Sequence, residues 1–184
     1  MPGPAQHSEA APRAGRNLPA AIGVGVGLIA VLVASVAWRP EPFAVLVAVA
    51  LVLGLWELTQ AFAKARIDLP LVPLAIGGIG IQVSAHLSGL PGVLVAFFLT
   101  VAAAVGWQAL ETADGPGRPA LRDSAAAVFA AAYLPLLASF LVLLSLEPDG
   151  RWRVLAAIAL SVASDTGGYL VGVLAGRHRL APLI

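Results

Sequence analysis

The 184-residue sequence contains no cysteine and a single methionine. The absence of thiols excludes disulfides, thiolate catalysis, zinc–thiolate sites and iron–sulfur clusters. Charged residues are also scarce, at 11% of the chain, whereas soluble domains carry about 25%. The net charge of only +1 provides no basic footprint for nucleic acid, so we expect no nucleic-acid partner.

Apolar residues, by contrast, make up 59% of the chain and raise its mean hydropathy to +0.90. They occur in long blocks rich in Ala, Leu and Val, not in the alternating pattern of transmembrane β-strands. Blocks of about 20 apolar residues span a bilayer as helices. We therefore predict an all-α, polytopic membrane protein with about six transmembrane helices. The predicted spans are residues 18–38, 43–63, 69–87, 90–110, 124–146 and 154–176.

The third and fourth spans are predicted from one uncharged stretch, residues 69–110. This stretch is twice the length of a single span, and the sequence SGLPG at residues 88–92 lies near its middle. Because glycine and proline together are a strong turn signal, we expect two helices joined there.

The first 17 residues are rich in Pro, Ala and Gly and have no apolar period. We predict a mobile cytoplasmic tail at 1–17 and a transmembrane helical domain at 18–184. A cleaved signal peptide is the alternative for the first apolar block, with Arg13 and Arg16 as its basic region and Ala37 at the cleavage site. The block is long for a signal peptide and lies four residues from the next span, which favours a retained helix.

Lysine and arginine predict the orientation, because cytoplasmic loops carry more of them. With the N-terminus in the cytoplasm, the inner flanks hold eight of these residues and the outer flanks three. Arg151 and Arg153 on the outer side weaken this assignment. We expect a multi-pass protein of the inner (plasma) membrane, with the N-terminus and the residues after 176 in the cytoplasm.

One charged residue, Asp165, lies at the middle of the sixth span. An Asp at that depth costs roughly 2.5–3.5 kcal/mol on insertion scales and usually marks a functional site. A structural, hydrogen-bonded Asp is the alternative. Ser161 and Tyr169 lie one helical turn away on the same face, and Ser164 is adjacent. Carboxylate and hydroxyl oxygens suit Mg²⁺, although further ligands would have to come from elsewhere.

The same helix carries a stripe of small residues at a spacing of four, which favours close packing against another helix. Its members are Ser164, Gly168, Gly172 and Gly176.

The remaining polar residues of the spans and their ends have two interpretations each. Glu57, beside Trp56 near a cytoplasmic helix end, is either solvated or functional. His86 is either a ligand or a solvated residue at a loop end, and its position close to the predicted outer turn favours the second. Arg177 and Arg179 are either positive-inside anchors or phosphate ligands.

The sixth span also carries a resemblance. Its sequence SDTGGYLVG at residues 164–172, followed by GRHRLAP at 176–182, resembles the bacterial phosphatidate cytidylyltransferases (CDP-diacylglycerol synthases). Gly168 stands where that family usually has Ala. The Trp56-Glu57 pair and the six-helix layout are also similar to the family's N-terminal half.

The resemblance implies transfer of CMP from CTP to phosphatidate, which yields CDP-diacylglycerol and pyrophosphate and depends on Mg²⁺. It implies Asp165 as a catalytic residue and metal ligand. It further implies Ser164, Tyr169, Arg177 and Arg179 as substrate-binding residues. CTP, phosphatidate and the lipid bilayer are then the expected partners, and a homodimer is allowed.

The family continues with a Ser-Pro-Lys-Lys-Thr segment where this sequence ends. We therefore expect the chain to be the N-terminal portion of such an enzyme, inactive alone, with a reading frame that continues past codon 184. The alternative function is a small transporter or channel subunit with Asp165 as an ion or proton relay. Another CTP-using lipid transferase or kinase and a membrane scaffold are further alternatives.

Overall fold

The computed structural model describes residues 18–113 and 120–175, and within them every regular element is helical. The prediction of an all-α protein is therefore confirmed for this part of the chain. The predicted tail at 1–17 and the two arginines Arg177 and Arg179 lie outside the described residues. The elements are α1 (Leu18–Trp38), α2 (Pro40–Lys64), α3 (Leu71–Ala113), α4 (Ala120–Ala131), a π-helical turn (Ala132–Leu136), α5 (Leu137–Ser145) and α6 (Gly150–Ala175).

Four helical stretches in the described ranges are long and apolar enough to cross a bilayer. The protein is therefore a membrane protein, while the count of six spans stays a prediction. The four stretches are Pro40–Lys64, Leu71–Glu111, Leu121–Ser145 and Gly150–Gly172, and a shorter apolar helix covers Gly23–Trp38.

Helix α3 is a hairpin of two arms, residues 71–88 and 90–113, divided at Gly89. The backbone there has φ 63° and ψ −156°, a left-handed conformation that glycine adopts without steric cost. Gly77 lies directly against the Thr100 side chain, although a straight helix would separate the two by about 35 Å at 1.5 Å per residue. The chain therefore reverses inside the predicted turn at 88–92.

Three helices begin earlier than predicted, and one of them is α4, which starts at Ala120 instead of Ser124. Helix α2 starts at Pro40 instead of Phe43, because proline's fixed φ and missing N–H suit the first helical turn. Helix α6 starts at Gly150 instead of Val154, and the Asp149 carbonyl accepts the N–H groups of Trp152 and Arg153 at 3.0 and 3.2 Å.

The fifth span is continuous but widens at a π-helical turn that contains Pro135. A proline inside a helix lacks the N–H of the regular ladder, and π-turns are one way to accommodate the disruption. The Pro135 carbonyl accepts a hydrogen bond of 2.9 Å from Gln82 Nε2 on the first arm of α3. This contact joins residues 53 positions apart.

The helices pack through two apolar clusters, one toward each end of the bundle. The first places Leu55 and Leu74 among small alanines of α4, while the second places Phe43 and Ile81 against Val142. Helix α3 contacts α2, α4, the π-helical turn and α5, so it is the central element.

The hairpin makes a stability prediction, because a Cβ added at Gly77 would lie 2.8 Å from Thr100 Cβ. We expect Gly77→Ala to lower the free energy of unfolding by about 1–3 kcal/mol through overpacking. Thermal unfolding of the purified protein in detergent measures the effect.

Gly106→Ala is the matched control, because Gly106 is also on α3 and a Cβ there meets nothing within 4 Å. Its melting temperature should equal or exceed that of the wild type, since alanine favours the helix by about 0.5–1 kcal/mol. Equal stability of the two variants would contradict the close approach of the two arms.

Candidate functional site

The polar residues of the sixth span lie between the middle of α6 and its C-terminal end. Ser161, Ser164, Asp165 and Tyr169 are all exposed there, and Tyr169 reaches 72% exposure. Ser161, Asp165 and Tyr169 follow one another at single-turn intervals, so they form one polar face as predicted. A hydroxyl, a carboxylate and a phenol are thereby presented along the same side of a membrane helix.

Only the first half of α6 packs against the rest of the described chain. Val154 is fully buried, and Leu155 and Ile158 pack against the second apolar cluster. From residue 159 to residue 172, every residue except Gly167 is exposed. The polar face therefore begins where the packing of the helix ends.

The small-residue stripe also faces open space in the described ranges. A Cβ added at Gly168 or Gly172 would meet nothing within 4 Å. The close packing that this stripe predicts therefore has no partner among residues 18–113 and 120–175.

Asp165 makes none of the hydrogen bonds and ion pairs found between described residues. Ser161 Oγ donates to the Ala157 carbonyl at 3.0 Å, a local contact within α6. Ionisable groups at membrane depth almost always face a protein interior or a water-filled cavity. The Asp165 face of α6 is therefore a candidate site, and no residue of 18–113 or 120–175 covers it.

No group of three or more His, Asp or Glu side chains that could hold a metal ion occurs within the described part of the chain. Mg²⁺ nevertheless needs few protein ligands, because it commonly binds one or two carboxylates together with substrate phosphates and waters. Asp165 fits the role of one such ligand. Arg177 and Arg179, the predicted phosphate ligands, lie outside the described residues.

The other charged residue of the predicted spans, Glu57, is exposed on α2 beside Trp56, which is also exposed.

His86 was expected to be a solvated residue at a loop end. This expectation is wrong for its position and for one of its ring nitrogens. His86 lies within α3, its side chain is half-buried, and its Nδ1 atom is buried with no hydrogen-bond partner.

Two glutamines have structural roles that sequence reasoning missed. Gln82 donates to the Pro135 carbonyl, and Gln108 Nε2 donates at 2.9 Å to the carbonyl of Asp68 in the loop before α3. Their position in the sequence could have predicted these roles. A glutamine inside an uncharged membrane span needs a hydrogen-bond partner within the protein.

Comparison with known proteins agrees with the motif on α6. The sequence profile described as the cytidylyltransferase family matches residues 19–184. The chain belongs to the cytidylyltransferase family. No solved structure gives a significant match.

Curated members of this family with similar sequences carry the name phosphatidate cytidylyltransferase. The protein from Mycobacterium leprae (strain TN) is 39% identical over 194 aligned residues, covering 97% of this chain and 61% of that protein. The proteins from Mycobacterium bovis (strain ATCC BAA-935 / AF2122/97) and Mycobacterium tuberculosis (strain ATCC 25618 / H37Rv) are each 35% identical over 94% of this chain. These matches cover 59% and 55% of the two relatives. The chain thus spans about three fifths of the length of the curated relatives it matches.

The isolation of Asp165 within the described residues predicts how it affects stability. We expect Asp165→Asn to change the free energy of unfolding by less than about 0.5 kcal/mol, the usual range for surface positions. Ala130→Leu, at a fully buried position in the first apolar cluster, should lower it by about 1–3 kcal/mol.

Thermal unfolding of both variants in the same detergent makes the comparison. A loss in Asp165→Asn as large as that in Ala130→Leu would favour the alternative of a structural, hydrogen-bonded aspartate over a functional one.

Proposed function

We propose that the protein is a phosphatidate cytidylyltransferase, which transfers CMP from CTP to phosphatidate and releases pyrophosphate in phospholipid biosynthesis. The observation that carries the proposal is the exposed Asp165 face of α6, which lies in the stretch that resembles the family. Membership of the cytidylyltransferase family and the names of the mycobacterial relatives support it.

In the proposed reaction, a phosphate oxygen of phosphatidate attacks the α-phosphorus of CTP. A new P–O bond forms, the bond from the α-phosphorus to the oxygen bridging to the β-phosphorus breaks, and pyrophosphate leaves with that electron pair. The main physical demand is to offset the negative charge of several phosphates at a membrane surface.

We assign the side chains of α6 to this demand. Asp165 is proposed as a catalytic residue and as the Mg²⁺ ligand, and the metal when bound would supply positive charge to the phosphates. Ser164 and Tyr169 offer hydroxyl donors to the substrates. Arg177 and Arg179 are proposed as phosphate ligands, since guanidinium groups bind phosphate oxygens in pairs.

The site is proposed to face the cytoplasm, where CTP is found. The positive-inside count supports placing the N-terminus and the residues after 176 on that side of the inner membrane.

A homodimer is also part of the proposal. The groove between the two arms of α3 supports it, because the groove is lined by small residues such as Gly77, Gly80 and Ala103 that allow close helix contact.

Activity tests the assignment of Asp165. In membranes of cells that express the whole reading frame, we expect Asp165→Asn to lower CDP-diacylglycerol formation by about 100-fold or more, as for loss of other charge-stabilising groups. The measurement follows radiolabelled CTP into the lipid phase and counts released pyrophosphate.

Asp149→Asn makes the same chemical change in the exposed turn before α6 and should leave the rate unaltered. Undiminished activity of Asp165→Asn would contradict the role of this residue. Wild-type membranes that form no CDP-diacylglycerol from CTP and phosphatidate would contradict the function itself.

The lack of cysteine makes the orientation directly testable, because each introduced thiol is the only one in the chain. A membrane-impermeant maleimide should label Glu147→Cys in intact cells. It should label Lys64→Cys only after permeabilisation. Both residues are exposed and lie at opposite ends of the predicted spans. The reverse labelling pattern would invert the proposed topology.

A further inference from the structure

A groove of about 570 Å³ lies between α2 and the first arm of α3. Because the two helices run antiparallel, Glu41 at the start of α2 and His86 near the end of the arm lie at the same end of the groove. Leu53 and Ile79 line its other end. The groove is lined by α2 and α3, whereas the residues assigned to the proposed reaction belong to α6 and the sequence after it, so the groove has no role in that reaction.

The dimensions of the groove match one leaflet of a bilayer. From Glu41 to Leu53 is about 18 Å at 1.5 Å per residue, and half of a hydrocarbon core is about 15 Å. Apart from Glu41, Gln82 and His86, the lining residues are alanine, valine, leucine and isoleucine. Trp38 is 81% exposed at the end of α1 next to Glu41, as expected where a helix meets the membrane interface. The groove therefore suits an acyl chain that enters from one membrane surface.

The charge at the surface end favours a head group that carries positive charge. Glu41 is the one charged residue that lines the groove, and Arg39 is not part of the lining. Glu41 is exposed, so its carboxylate can reach a head group at the membrane surface. A carboxylate only accepts hydrogen bonds, so a head group with N–H donors suits it best.

We propose that this groove binds a phospholipid whose head group carries a primary ammonium. An acyl chain lies against residues 44–53 of α2 and residues 79–83 of α3, and the ammonium lies at the Glu41 carboxylate. A phosphatidate head group would place its phosphate beside that carboxylate and be repelled. The quaternary ammonium of phosphatidylcholine has the charge but no N–H to donate.

Native mass spectrometry of the purified protein, without CTP, tests the proposal with three lipids of identical acyl chains. We expect phosphatidylethanolamine to bind about threefold to fivefold tighter than phosphatidylcholine, the size of one partly solvated hydrogen bond from the ammonium to the carboxylate. Glu41→Gln should make the two lipids bind equally, because it removes the charge from an exposed residue and retains its shape.

Ala48→Phe fills the groove and should abolish binding of both lipids. Val45→Trp does the same from a lining position that is 64% exposed, so it blocks the groove without entering the core. Ala50→Phe is the matched control, since Ala50 is exposed on α2 outside the groove, and it should bind as the wild type does.

Three outcomes would overturn the proposal. The first is equal binding of phosphatidylethanolamine and phosphatidylcholine by the wild type. The second is unaltered binding by both groove-filling variants. The third is phosphatidate binding that those variants abolish, which would assign the groove to the substrate. None of these outcomes bears on CMP transfer, which is measured separately with CTP.

Discussion

The hydrogen bond from Gln82 to the Pro135 carbonyl is the contact on which the arrangement of the bundle depends. In a membrane, apolar helices gain little by leaving lipid for one another, so small residues and polar contacts decide which faces meet. Pro135 lacks the N–H of the regular ladder, and its own carbonyl accepts a hydrogen bond from the Gln82 amide. Gly78 lets this contact form, since a Cβ there would lie 3.1 Å from Leu51 and 3.3 Å from the Pro135 ring. Helix α2, the α3 hairpin and the fifth span are thereby held at a single junction.

The bundle built on that junction is unevenly packed, and the imbalance relates to function. The hairpin and its neighbours enclose two apolar clusters, whereas α6 is packed only over its first nine residues or so and then exposes Ser164, Asp165 and Tyr169. A carboxylate cannot rest in hydrocarbon at little cost. The exposed face is the one to which the proposed reaction assigns its polar side chains.

Several features of the fold were predictable because they depend on local chemistry. Uncharged blocks predicted helices, and α1 has the predicted bounds Leu18–Trp38. The glycine and proline at 89 and 91 predicted the reversal inside α3, since few other residues adopt a positive φ. The start of α2 was misplaced by three residues for an equally local reason. Pro40 and Pro42 were interpreted as a turn, although proline also suits the first turn of a helix.

By itself, the sequence determined the helical class, the membrane setting and the polar face of α6, because composition and a 3.6-residue period are properties of single segments. It also determined the family, through the short stretch around Asp165. Only the tertiary structure decided that Gln82 contacts Pro135 and that His86 Nδ1 is buried. It also decided that a groove about as long as one leaflet is thick runs between α2 and the first arm of α3. These features arise between segments far apart in the chain. Their partners depend on how the helices rotate and cross, and that information lies in no single stretch of residues.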